Sequence, residues 1–415
     1  MRTSYSCAAT HYQLNYLTEH CIMAVAFFLP LSFNAASLFL ALGALLWVAR
    51  MATDGHLDLK PTPFDGAVAL FVTLAAASIL ASPDRWVSFY NYYHLMGRYI
   101  LLYYLVVNNF HTIDQLKRLV QAVLVSAGMV VVYGLYQYVQ GVDISAFEWV
   151  DGEQFPLLKV RIFSTLENPN LLAGFLVVMA ALAAGLGLNA EDRRCKAAFA
   201  VLVVALGVCL VLTYSRGAWL SFIAVVAAYG VLYSRKTFWL LLLVPVAVLA
   251  GQDVIMERLM SIFNPTDTSA TLRIALWEST LAMIADRPLF GIGWAAYPLV
   301  YPDYDFFINN PGITIFHAHN MYLHIAAEIG VPGVLAFLAL MFGHARLALA
   351  MAGSATNRWV GGLMLGVLAA IIGIAVSGFT DYVLYSPQMA MLFWLLNALT
   401  VVVYLNSHPT KNSIK

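Results

Sequence analysis

Two histidines stand two residues apart in His317-Ala318-His319-Asn320, and three arginines interrupt otherwise apolar sequence. These are Arg161 in Lys159-Val160-Arg161, Arg216 in Thr213-Tyr214-Ser215-Arg216-Gly217, and Arg273 in an amphipathic stretch. A neutral imidazole near pH 7 can take a proton from a hydroxyl. A guanidinium presents a planar fork that pairs bidentately with phosphate. A base beside anion clamps suits chemistry in which a phosphate or diphosphate departs. In an extended segment, positions i and i+2 face the same way, so His317 and His319 point together. Two histidines also suggest a metal, but no third ligand follows at a usual spacing. His324 lies five residues beyond His319 and Glu328 four further, on a face that serves equally well as structure.

Each candidate has a plainer reading. Arg216 is also what a snorkelling arginine at a helix end looks like. Asp381, in Phe379-Thr380-Asp381-Tyr382, either orients a histidine, binds a sugar hydroxyl, or is a solvated loop acid. Arg98, among Tyr92, Tyr93, His94 and Tyr99, is either an interhelical hydrogen-bond hub or part of a cavity. Trp294, Tyr297, Tyr301, Tyr304, Phe306 and Phe307 form either a sugar-stacking group or part of an interfacial aromatic belt.

The elements that position these residues must be built for lipid. Of the 415 residues 61% are hydrophobic and 11% charged, against roughly 45–50% and about 25% in soluble domains. That composition excludes a soluble globule and a disordered chain. A formal net charge of zero without a basic block excludes a nucleic-acid binder. Four cysteines without a CxxC spacing give neither a disulfide frame nor a zinc site. The N-terminal stretch, with Arg2 followed by Glu19 and His20, makes a poor signal peptide and reads as a retained anchor.

The fold expected is all-α and polytopic, about twelve transmembrane helices at ~20 residues each. The apolar runs fall at 16–32, 34–50, 64–82, 92–108, 117–139, 170–188, 197–214, 218–234, 237–251, 331–350, 358–378 and 387–405. Pro30 and Asn34 leave residues 21–50 as either two short crossings or one long tilted one. With both termini cytoplasmic, 14 of the 22 basic residues fall inside, which agrees with the positive-inside rule. Residues 1–251 then carry nine helices, 252–330 a large periplasmic loop with the candidate chemistry, and 331–415 three helices and a tail. A loop that long is usually functional. Thr271–Ala285 and Asn320–Ile329 within it read as helices, the second ending at Gly330 with Pro332 beyond.

One arrangement of these residues resembles a known family. His319-Asn320, nine residues, then Gly330-Val331-Pro332-Gly333 is similar to the His-Asn signature of bacterial O-antigen ligases and the related O-antigen and exopolysaccharide polymerases. Further blocks agree in order: Asn168-Pro169-Asn170, Ser215-Arg216-Gly217-Ala218-Trp219, Arg273 with Trp277, and Asp286-Arg287-Pro288-Leu289-Phe290-Gly291-Ile292-Gly293. The resemblance covers roughly residues 160–400. It implies a metal-independent, inverting glycosyltransferase of the inner membrane that needs no cofactor. A glycan carried on undecaprenyl diphosphate would pass, on the periplasmic side, to an acceptor hydroxyl. Lipid A-core is the acceptor for a ligase, another lipid-linked repeat for a polymerase, and protein or cell-wall polymers for other relatives. By the same resemblance His319 is the catalytic histidine and Arg216 and Arg273 hold the diphosphate, with Arg161 assisting. His317, Asn320, Arg287 and Asp381 support them. The alternative from another class is a bicarbonate or solute transporter, since some relatives with an Asn-Pro-Asn block carry that label. A carrier, however, should place paired polar breaks near mid-membrane.

Overall fold

The computed structural model describes residues 2–57, 59–142, 161–242, 268–307 and 314–408, and among these it is all-helical. Residues 243–251 of the expected crossing at 237–251, and parts of the expected outer segments 140–169 and 252–330, lie outside the described residues, while the described start of that crossing belongs to a 3-10 helix, Arg235–Leu242.

Helix α1 (Arg2–Phe28) and α2 (Phe33–Asp54) are joined by a short turn, and Ser32 caps α2 by accepting from the Ala35 N–H. His11 Nδ1 lies 2.9 Å from Asp54 at the far end of α2, which fixes the pair as an antiparallel hairpin. Residues 21–50 are therefore two helices. Pro30 cannot donate within a helix, and the chain reverses there. Deep between them, Arg50 bonds Asn15 and, at 2.9 Å, Asn109 of a third helix.

The next elements are α3 (Asp65–Ser78) and a nearly continuous rod of α4 (Arg85–Asn91), a π-helical turn at Tyr92–Met96, and α5 (Gly97–Asn109). Arg98 lies over the Phe33 ring at 5.0 Å, a cation–π contact from α5 to α2. Long helices follow as α6 (Ile113–Gln140), α7 (Pro169–Asn189), α8 (Arg193–Leu212) and α9 (Arg216–Leu232). After α10 (Thr268–Asp286) and the short α11 (Tyr297–Val300) come α12 (Met321–Ser354), α13 (Arg358–Ser377) and α14 (Pro387–Ser407).

Seven described helices, α2, α6, α7, α8, α12, α13 and α14, are long and apolar enough to cross a membrane. Residues 65–81 and α9 are apolar but shorter. Leu38, Leu42 and Leu45 on α2, and Val201, Val204 and Val208 on α8, are exposed at helical spacing. Such outward apolar stripes suit contact with lipid chains rather than water.

At the centre α7 crosses α13 through glycines. A Cβ on Gly185 would fall 2.3 Å from the Gly362 carbonyl oxygen, and one on Gly362 would fall 2.6 Å from that of Gly185. Small residues let two backbones approach closely enough for dispersion to hold helices together where no hydrophobic effect acts. Because the obstacle is backbone, no rotamer change relieves it. Gly185→Val is expected to cost at least about 1–3 kcal/mol. A fluorescence-detected thermal unfolding midpoint in detergent that equalled wild type would contradict this packing.

Candidate functional site

Two helix ends meet at the site. The C-terminal end of α13 leaves carbonyls without partners inside its own helix, and the start of α12 leaves N–H groups in the same condition. They satisfy each other. The Met321 N–H donates to the Gly378 carbonyl at 2.8 Å, and Asn320 Nδ2 donates to the Phe379 carbonyl at 3.2 Å. Asn320 also caps α12, its Oδ1 accepting from the Tyr322 and Leu323 N–H groups at 3.0 Å each. This junction carries His317 and His319 to the turn that holds Asp381.

His319 Nδ1 lies 3.2 Å from Asp381 Oδ1. Burial by itself would raise the Asp381 carboxyl, but the His319 hydrogen bond and the charges of His319, His317 and Arg273 hold it well below the usual carboxylate range. An ionised carboxylate only accepts, so His319 Nδ1 donates, and in the neutral ring Nε2 keeps a lone pair. That is the tautomer a general base requires. The His319 N–H donates to His317 Nδ1 at 3.3 Å, so a neutral His317 carries its proton on Nε2. Burial, with the charges of His319, His324 and Arg273 added to it, pushes His317 down to about 3 against an opposing pull from Asp381. The two rings meet edge to face at 4.2 Å, as the i, i+2 spacing implied.

Arg273, on α10, is half-buried and close enough for its charge to act on both His317 and Asp381. Arg216 is the first residue of α9 and half-buried. The following Gly217 rests against the same turn as Asp381, since a Cβ there would fall 2.4 Å from Thr380 Oγ1. Arg161 is buried, and its Nε donates to the Thr213 carbonyl at 2.6 Å while Nη2 donates to Asn170 Oδ1 at 2.8 Å. Those two donors brace the turn that leads into Arg216 and tie it to the first turn of α7.

Backbone strain concentrates in these segments. Among described non-glycine residues, positive φ occurs at Ser164 and Glu167 after Arg161, at Tyr214 before Arg216, at His319 itself, and at Ala295 in the 288–297 segment. Such conformations cost of order 1–3 kcal/mol each and persist where the surroundings over-determine them.

Several expectations are redirected. Arg287 is exposed, and its Nη1 donates to the Ala81 carbonyl at 2.9 Å, fastening the end of α10 to the segment after α3. The sugar-stacking group divides, because Tyr297 and Tyr301 are buried beside Leu276, Met283, Ile292, Val300, Ala318 and Ala327 in a small core, whereas Phe306 and Phe307 are exposed. Within α10, Ala275, Leu276, Ser279 and Met283 form a buried stripe, whereas Leu272 is exposed. Helix α12 does break at Gly330, with φ 77° and ψ 171°, yet it resumes at once. The break is clasped from outside, with Ile292 N–H donating to the Ala327 carbonyl, Gly293 N–H to that of Glu328, and Val331 N–H to that of Pro288. Gly330 must be glycine, since a Cβ would fall 2.2 Å from the Leu289 oxygen.

Sequence reasoning passed over Tyr385, whose ring lies 5.0 Å from His317, and Tyr382, 4.8 Å from His324. Nothing local distinguishes them from belt aromatics. His317, His319 and Asp381 offer ligand atoms within 4.8 Å of one another, a spacing that could hold a metal ion. The Arg273 charge beside them opposes a cation.

Residues 200–338 match the family model described as O-antigen ligase. No curated protein matches the chain. The matched span carries Arg216, Arg273, His317, His319 and Asn320, and it leaves Arg161 and Asp381 outside.

The lowered His317 value has a thermodynamic consequence. An unfolded histidine binds its proton near pH 6.5 and folded His317 near 3, so the unfolded chain holds more protons between those limits. Stability is therefore full above about 6.5 and falls as the pH drops toward 3, by at most about 1.4 kcal/mol per pH unit. The thermal midpoint of His317→Asn should fall less between pH 7 and 5 than that of wild type. Parallel declines would remove this role.

Proposed function

We propose, from the O-antigen ligase domain that residues 200–338 carry, that this protein transfers a glycan from undecaprenyl diphosphate to an acceptor hydroxyl at the periplasmic face of the inner membrane. Ligation of O-antigen to lipid A-core is the favoured form, with polymerisation of lipid-linked repeats the other form of the same chemistry. The observation that carries the reading is the His319–Asp381 contact with the Arg273 charge beside it. A proton acceptor held in one tautomer next to an anion-binding group matches what displacement of a diphosphate by a hydroxyl requires.

In this reading His319 Nε2 removes the acceptor proton as the hydroxyl oxygen attacks the anomeric carbon. The bond to the diphosphate oxygen breaks, and Arg216 and Arg273 stabilise the charge that gathers there. A single displacement inverts the anomeric centre. Asp381 holds the imidazole and stabilises the imidazolium, Asn320 and His317 fix the loop, and Arg161 braces the turn before Arg216. The other apolar segments also cross the membrane, about twelve in all, with 252–330 outside. A reporter fused at residue 300 should score periplasmic, and a cytoplasmic score would put the donor glycan across the bilayer from the site.

The deciding experiment incubates purified protein with an undecaprenyl diphosphate glycan and candidate acceptors, with and without chelator. Transfer is expected in both conditions. Loss of transfer on chelation, restored by a divalent ion, would favour a metal at His317, His319 and Asp381 instead. Solute flux into proteoliposomes without any transfer would favour a carrier.

Variants test the roles separately. His319→Ala should lose about 10²–10⁴-fold in turnover, and Asp381→Asn should also lose turnover because the amide no longer dictates the tautomer. Arg216→Lys and Arg273→Lys keep the charge but lose the fork, so full activity in both would return these residues to packing.

A further inference from the structure

Behind the two histidines lies a second buried pair that the proposed chemistry does not use. His324 and Glu328 sit one turn apart on the first part of α12, with side chains 1% and 8% exposed. His324 Nε2 is 3.3 Å from Glu328 Oε1. The same carboxylate oxygen accepts from the Tyr297 N–H at 3.3 Å, and His324 Nδ1 accepts from the Ala318 N–H at 3.4 Å. Because Nδ1 accepts, a neutral His324 carries its proton on Nε2, the nitrogen that lies against Glu328.

Ala318 is the residue between His317 and His319, and its N–H belongs to the peptide that joins it to His317. A continuous chain of polar contacts therefore runs from Tyr297 through Glu328 and His324 to the backbone of the histidine segment, hydrogen bonds at its two ends and the 3.3 Å His324–Glu328 ion-pair contact between them. Its members are enclosed by Tyr297, 4.9 Å from the His324 ring, and Tyr382, 4.8 Å from it. A carboxylate so enclosed is costly unless its hydrogen bonds are needed. The segment it reaches holds His319 at a φ of 47°, a conformation that relaxes unless something holds it.

We infer that His324 and Glu328 are positioning residues, which hold the Ala318 peptide so that His319 keeps its strained backbone and meets Asp381. The inference rests on the reading of His319 as the base. Neither residue touches the reacting atoms. Their effect is on where His319 Nε2 sits, so they should alter turnover rather than the affinity for donor.

The test compares His324→Phe, which keeps a buried ring but no acceptor, with His324→Asn, whose Oδ1 takes the place of Nδ1 and can still accept from Ala318. His324→Phe should lose about 10–100-fold in kcat, the scale of a misplaced catalytic group, with the donor KM within about threefold. His324→Asn should recover about tenfold of that loss. A purely packing role predicts the reverse order, because the aromatic isostere fills the space better.

A second readout does not depend on transfer. The rate at which diethyl pyrocarbonate modifies His319, followed by mass spectrometry on full-length protein in detergent, reports how firmly that side chain is held. His324→Phe should raise the rate severalfold and His324→Asn should leave it near wild type. If His324→Phe does not accumulate in membranes, Glu328→Leu breaks the same chain at its other end and should raise the rate likewise. An unchanged His319 rate in the variant that accumulates overturns the inference, whatever the transfer assay gives. Absence of glycan transfer by wild type, with the modification rates shifting as stated, would instead overturn the reading of the function and leave the positioning role standing.

Discussion

Where α12 begins on the end of α13, four backbone and side-chain groups that neither helix can satisfy alone find one another. The Gly378 and Phe379 carbonyls receive the Met321 N–H and the Asn320 amide. Near a membrane there is little water to take over such groups, and each one left unmet costs about 1–3 kcal/mol. Joining two helix ends removes that cost and places His319 opposite Asp381, 62 residues later in the chain. The candidate chemistry is thus a consequence of how two helices end.

The rest of the architecture makes that junction rigid. Glycines between α7 and α13 let the backbones touch, which fixes the helix that ends at the Asp381 turn. The turn before α9 is braced by Arg161 and seated by Gly217 on Thr380, bringing Arg216 to the same end of the bundle. From outside, the 288–293 segment bonds the carbonyls exposed where α12 breaks at Gly330. The small core around Tyr297, Tyr301 and Ala318 then attaches α10, and with it Arg273, to the histidine segment. Each arginine arrives by a different element.

Electrostatics follow from this enclosure. His317 stays neutral because its proton would be poorly solvated and would face other positive groups, whereas Asp381 stays ionised because those same groups surround it. Opposite shifts in two neighbouring groups divide the roles between them: one orients by accepting, the other by carrying charge. The positive-φ residues at Ser164, Glu167, Tyr214 and His319 show the backbone bent to this end.

The sequence alone determined what depends on local period and on composition. An apolar fraction of 61% demanded helices that satisfy their own backbones. Amphipathic periodicity placed α10, and caps and breakers placed the start of α12 at Asn320 and the discontinuity at Gly330. The i, i+2 spacing brought His317 and His319 together, and the arginines stood out as charges in apolar surroundings. Tertiary structure decided whatever required knowing which helix ends meet. No local pattern distinguishes Asp381, which orients a histidine, from a solvated loop acid, because its partner is 62 positions away. Nor does one show that Arg287 reaches Ala81, that Tyr297 and Tyr301 are core, or that Pro30 turns a hairpin instead of bending one tilted helix. His324 and Glu328 read as an ordinary i, i+4 pair in the sequence, and only the fold brings Ala318 and Tyr297 to them. Period-based signals extend about one helix length, and the constraints that shape this site act between helices.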